Sequence, residues 1–131
     1  MEKVKERLHV ARKALTTLQE LTSKQNFTAL ERDAAIQRFE YTFEATWKAA
    51  QTFLYELEGV EANSPKSAIR ASWQVGLIDE SSSQAALRMC EARKMSVHTY
   101  NEKLAQEIAD QVPGFARLLE EWLSAMEKRF T

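Results

Sequence analysis

The sequence predicts an all-α fold, an up-down bundle of about four main helices with one short extra helix. Three observations carry this. Glycine and proline are scarce, with three and two copies, and they are the usual punctuation between strands. Apolar residues recur at three- and four-residue steps along most of the chain, the period of a helix buried on one side. No segment alternates apolar and polar residues over strand length.

The elements follow in order. Val4, Leu8, Ala11, Leu15 and Leu18 fall on one face of a first helix. Thr28-Ala-Leu-Glu31 has the form of a capping box, so a long second helix begins near residue 29. Its buried stripe is Ile36, Phe39, Phe43, Trp47, Ala50, Leu54 and Leu57, and Gly59 is placed to end it. Ser64-Pro65 offers an N-cap followed by proline at the first helical position, opening a short helix that Gly76 ends. Asp79 through Ser83 can cap a fourth helix running to about Val97. Thr99-Tyr-Asn-Glu102 has the pattern of another capping box. The last region carries the stripe Phe115, Leu118, Leu119, Trp122, Leu123, Met126 and Phe130. Pro113-Gly114 is expected to break or kink it, since proline removes a donor and disfavours helix at the residue before it.

With 131 residues, the whole of 1–131 is expected to form a single domain large enough for a real core. Hydrophobic residues make up 44% and charged residues 28%, as in ordinary folded domains. The net charge of -1 gives no overall attraction to nucleic acid, so any phosphate site must be local. The single Cys90 cannot form an internal disulfide and reads as a small apolar filler in a reducing compartment. The N-terminus is charged without an apolar signal region, and no apolar run approaches membrane-spanning length. A cytoplasmic location, with no membrane association, is the expectation.

Catalytic patterns are few. There is no HExxH, CxxC or glycine-rich phosphate loop, so neither a metal nor a cofactor is expected. Of the two histidines, His9 sits in a charged helix as a surface residue. His98 lies in Arg93-Lys-Met-Ser-Val-His98-Thr-Tyr100, where one helix stops and the next has not begun. Arg93 and Lys94 bring positive charge, and the guanidinium is a bidentate phosphate donor. Histidine exchanges protons near neutral pH. Such a set could cleave an RNA phosphodiester without metal, His98 taking the 2′-OH proton and Arg93 stabilising the phosphate. A purely structural reading is that Arg93 pairs with carboxylates around Glu91 or with Glu102, while His98 caps a helix end. On an unbroken helix Arg93 and His98 sit roughly 140° apart. They converge only if His98 lies beyond the last turn, or if two copies pool their residues in a two-fold dimer.

Three strings in this chain resemble one family. They are Arg38-Phe-Glu-Tyr-Thr-Phe-Glu-Ala-Thr-Trp47-Lys48, then Asn63-Ser-Pro-Lys-Ser-Ala-Ile-Arg70 with Gly76-Leu-Ile-Asp79, and Arg93 to Tyr100. Together they look like the nucleotidyltransferase substrate-binding proteins, a group of the HEPN superfamily, over the chain from about residue 4 to its end. The resemblance implies a helical bundle that forms a homodimer and pairs with a separate minimal nucleotidyltransferase, usually encoded alongside. In related toxin–antitoxin pairs the HEPN protein is an RNA-cleaving toxin. Its motif arginine and histidine match Arg93 and His98, and the tyrosine that receives adenylate from the partner matches Tyr100. One departure stands out. A small polar residue commonly follows the motif arginine, and here it is Lys94, which cannot accept a hydrogen bond. The resemblance thus implies two functions. One is the substrate-binding partner of a nucleotidyltransferase, which Lys94 favours. The other is a metal-independent endoribonuclease toxin acting through Arg93 and His98 and silenced at Tyr100.

Of the residues on the second helix, Phe39, Phe43 and Trp47 read as core. Glu40, Glu44 and Lys48 read as a solvated charge row, with a cleft-lining role for Glu40 or Arg38 as the alternative. Tyr41 and Trp73 read either as ordinary packing or as a partner surface.

Overall fold

A computed structural model describes residues 1–131 as five α-helices and no strand. They are α1 (Glu2–Thr22), α2 (Ala29–Glu58), α3 (Pro65–Gln74), α4 (Glu80–Met95) and α5 (Glu102–Phe130), with a 3-10 turn at Ser96–His98 between α4 and α5. No helix is long and apolar enough to cross a membrane.

Caps set most of the boundaries. The Thr28 hydroxyl accepts from the Glu31 amide while the Glu31 carboxylate accepts from the Thr28 amide, the reciprocal box read from the sequence. Gly59 ends α2 in the left-handed conformation, with φ of 67°. Ser64 and Ser67 form a second box around Pro65 at the first helical position. Asp79 caps α4 by accepting from the Ser82 amide.

Three expectations need correction. The fourth helix stops at Met95, not near Val97, because the chain tightens there into the 3-10 turn. The cap of α5 is Asn101, whose side chain accepts from the Leu104 amide, not Thr99. Pro113 does not end the last helix, since α5 runs unbroken through it. Proline inside a helix costs about 3 kcal/mol. Val112, Phe115, Ala116, Leu118 and Leu119 are all buried around it. At roughly 1.5–3 kcal/mol for each large apolar side chain, that burial outweighs the missing hydrogen bond.

Side-chain pairs give the topology. Lys24 meets Glu31 and Arg38 meets the Thr17 carbonyl, so α1 and α2 run antiparallel. Arg12 reaches Glu127 while Gln19 reaches Glu120, so α1 and α5 are antiparallel as well. Phe39 stacks on Phe115 and Glu58 meets Arg129, so α2 and α5 run in the same direction. The bundle is therefore up-down in α1, α2 and α5. The short α3 bridges α2 to α4 and is tied to α5 by a buried hydrogen bond from the Trp122 indole to the Ser72 hydroxyl at 3.0 Å. The predicted stripes form the core: Val4, Leu8, Leu15, Phe39, Phe43, Leu54, Leu119, Trp122 and Met126 are buried, while Trp47, Leu57 and Phe130 pack half-buried against them.

Candidate functional site

The last turn of α4 carries Arg93 and Lys94, and the two side chains go to different places. Arg93 reaches back to α2. Its Nη1 lies 3.4 Å from Glu40 Oε2, and its Nε 3.4 Å from Glu44 Oε1. Nη1 also donates to the Ser96 hydroxyl at 3.2 Å. The Ser96 side chain is buried and sits 2.5 Å from Glu40 Oε2 and 2.7 Å from the Arg93 carbonyl. With one hydrogen to give, it donates best to the nearer, charged acceptor. Glu44 is steadied from the other side by the Trp47 indole, which donates to its Oε2 at 2.9 Å. The clamp is incomplete, because Arg93 Nε is buried and has no hydrogen-bond partner of good geometry.

The carboxylates that hold Arg93 are thus Glu40 and Glu44, and neither Glu91 nor Glu102. Glu40 and Glu44 are not a freely solvated row, since both face Arg93. Arg38 donates to the Thr17 carbonyl and faces Glu20. Ser96 is not visible as a site residue in the sequence. The only local hint is a serine three residues after an arginine at a helix end, which is common.

Lys94 stands on the exposed side, 3.7 Å from Glu91. Glu91 is shared with Lys66 of α3, whose hydrogen bond and charge hold its carboxyl below the usual range, with Lys94 adding to the effect. Burial pushes the Cys90 thiol up, which suits an inert filler.

Beyond Met95 the chain turns through Ser96–His98 and Thr99 to Tyr100, then enters α5 at the Asn101 cap. His98 and Tyr100 form a pair. The Tyr100 hydroxyl is 3.2 Å from His98 Nδ1, and the rings meet edge to face with centroids 5.8 Å apart at 81°. Tyr100 is 82% exposed. His98 lies past the last α-helical turn, yet no hydrogen bond joins it to Arg93, whose side-chain bonds go to Glu40 and Ser96. Within one chain Arg93 faces α2 while His98 and Tyr100 face solvent. Val97 and Met95 add exposed apolar surface beside the pair. No group of histidine, cysteine and carboxylate side chains is arranged to hold a metal. A groove of about 560 Å3 opens elsewhere, between α4 and α5 around Arg88, Pro113 and Arg117. It contains none of Arg93, His98 and Tyr100, and has no histidine or tyrosine to exchange a proton.

The sequence model of the family described as nucleotidyltransferase substrate binding protein like matches residues 6–128. The chain belongs to this family. The match takes in all five helices, the Glu40–Glu44–Arg93 clamp and the His98–Tyr100 turn. Among solved structures, a crystal structure of a protein from Thermus thermophilus is similar, with 51% sequence identity and a TM-score of 0.86 over 88% of this chain and 98% of that one. No protein of curated function matches. The family assignment agrees with the resemblance carried by the strings at Arg38, Asn63 and Arg93.

Proposed function

We propose that this protein is the substrate-binding subunit of a separate minimal nucleotidyltransferase, and that the Tyr100 hydroxyl is the group the partner modifies. The observation that carries this is the exposure of Tyr100 on a turn held firmly at both ends, by the buried Ser96 hydroxyl on one side and the Asn101 cap on the other. A phenol that is 82% exposed yet fixed in place suits attack on a nucleotide brought by another protein. In the step, the Tyr100 oxygen bonds to the α-phosphorus of ATP, the bond to the β-phosphate oxygen breaks, and pyrophosphate leaves. The product carries an added phosphodiester charge and a nucleoside at the turn, which repels and blocks any further anionic ligand there.

Two features favour this binding role over RNA cleavage. Arg93 is engaged by two carboxylates, so a phosphate would have to displace them, and Lys94 points to Glu91 and not to the His98 side. The HEPN-type homodimer and the toxin–antitoxin setting belong to the same proposal. Met95 and Val97 beside the turn offer apolar surface for a second copy, which would bring a second Arg93 and His98 to the same place.

The test is incubation with a minimal nucleotidyltransferase from the same genome and ATP, read by intact mass and peptide mapping. The expected result is one or more adenylates on Tyr100 and none on Tyr100→Phe. Growth arrest and RNA fragmentation on expression of the wild type, lost in both Arg93→Ala and His98→Ala, would replace this reading with the endoribonuclease.

A further inference from the structure

We infer that His98 is the base that receives the phenolic proton of Tyr100 when the nucleotidyl group is transferred. The inference rests on the reading of Tyr100 as acceptor and assigns to His98 a role separate from RNA chemistry.

The sole hydrogen bond of the Tyr100 side chain is to His98 Nδ1, at 3.2 Å, and this is also the sole one of the His98 side chain. No carboxylate accepts from this hydroxyl. Glu40 and Glu44 are committed to Arg93, Ser96 and Trp47. A phenol holds its proton at neutral pH, whereas an imidazole accepts one there, so transfer from tyrosine oxygen to histidine nitrogen becomes favourable as the oxygen bonds to phosphorus. The distance is at the outer edge of the range for general-base catalysis, and such contacts tighten when substrate is bound. The two rings are near-perpendicular, and the Tyr100 hydroxyl is the polar atom hydrogen-bonded to His98 Nδ1. With Nδ1 accepting, the neutral ring carries its hydrogen on Nε2. Both residues are exposed, so the far side of the hydroxyl is open to a nucleotide.

The step balances. Tyr100 oxygen gives up its proton to His98 Nδ1 and forms the bond to the α-phosphorus. The bond to the leaving oxygen breaks and pyrophosphate departs with the electron pair. The imidazolium then returns to neutrality by losing its Nε2 proton to water.

The experiment measures the initial rate of adenylate appearance on Tyr100, using the full chain with the minimal nucleotidyltransferase and ATP. It compares wild type, His98→Ala, and His98→Ala with added imidazole. Because His98 is on the surface, the variant should keep its circular dichroism and Tm. The expected result is a slowing of about 100-fold in His98→Ala, reversed by imidazole in proportion to its concentration, with Tyr100→Phe unlabelled throughout. A wild-type rate in His98→Ala would overturn the inference while leaving Tyr100 as acceptor. A slowing that imidazole does not relieve would also overturn it, since that marks a positioning role for the ring. No adenylate on wild-type Tyr100 would overturn the acceptor reading, and the inference with it.

Discussion

Two arginines in this molecule each meet two glutamates on a neighbouring helix, and they are held differently. Arg12 on α1 spans Glu120 and Glu127, two turns apart on α5. It forks onto Glu127 with Nε at 3.1 Å and Nη2 at 2.5 Å, and gives Nη1 to Glu120 at 2.7 Å. Gln19 and Ser124 fill the remaining positions on Glu120. The hydrogen bonds to Glu127 and Glu120 raise the guanidinium further above its ordinary value, and those from Arg12, Ser124 and Gln19 hold the Glu120 carboxyl down at about 2. Arg93 on α4 meets Glu40 and Glu44, one turn apart on α2, at 3.4 Å each, with its Nε unsatisfied. Charge-assisted hydrogen bonds are strongest at about 2.7–2.9 Å. The first clamp is closed by hydrogen bonds from all three guanidinium nitrogens. The second is loose, and it stands one short turn from the exposed His98–Tyr100 pair. One holds helices together. The other is less completely hydrogen-bonded.

The sharpest way to test that division is at Tyr100. Tyr100→Phe should abolish nucleotidyl acceptance by mass spectrometry while changing stability by less than about 0.5 kcal/mol, as for surface positions generally. A large loss of Tm would show that the turn is structural and dissolve the contrast.

The next effect is on the closed clamp. Arg12→Met should cost about 1 kcal/mol, the upper end for partly exposed ion pairs, and lower Tm by about 4 °C. Arg93→Met should cost less, about 0.5 kcal/mol. Equal losses in thermal melts would mean that both clamps are structural.

Acid sharpens the same comparison. Glu120 titrates at about 2 in the folded chain, below its ordinary 4.5. Its contribution to stability is therefore complete above pH 4.5 and lost as pH falls towards 2. Melts across that window should show the loss in wild type and a flatter profile in Arg12→Met. A parallel profile in the two proteins would place the acid sensitivity elsewhere.

Ser96→Ala should cost about 1 kcal/mol or less, for one hydrogen bond. It should also free Glu40 and loosen the turn, read as faster amide exchange at Val97–Tyr100. Unchanged exchange would mean that Ser96 does not hold Tyr100 in place.

Much of the molecule is legible from short-range pattern. The stripes through Val4–Leu18, Ile36–Leu54 and Phe115–Met126 form the core, because a 3.6-residue period leaves only one face to bury. Thr28, Gly59, Ser64 and Asp79 act as caps because a cap is settled by neighbours three or four residues away. The same local logic fails at Thr99. Thr99 and Asn101 can each cap a helix, and which one does depends on where the 3-10 turn delivers the chain. It fails at Pro113 for a related reason. The local cost of that proline is real, but the packing that offsets it lies on other helices.

The sequence by itself thus determined the helical class, the buried faces, most helix starts and the family, each a matter of spacing along one helix or of strings within it. Only the tertiary structure decided that Glu40 and Glu44 hold Arg93, that Lys66 shares Glu91 with Lys94, and that His98 meets Tyr100 instead of Arg93. A Glu–Glu–Lys row at four-residue steps looks the same whether it faces water or an arginine 53 residues away. What distinguishes the two is where the bundle places the end of α4 relative to α2, and no spacing within either helix encodes that.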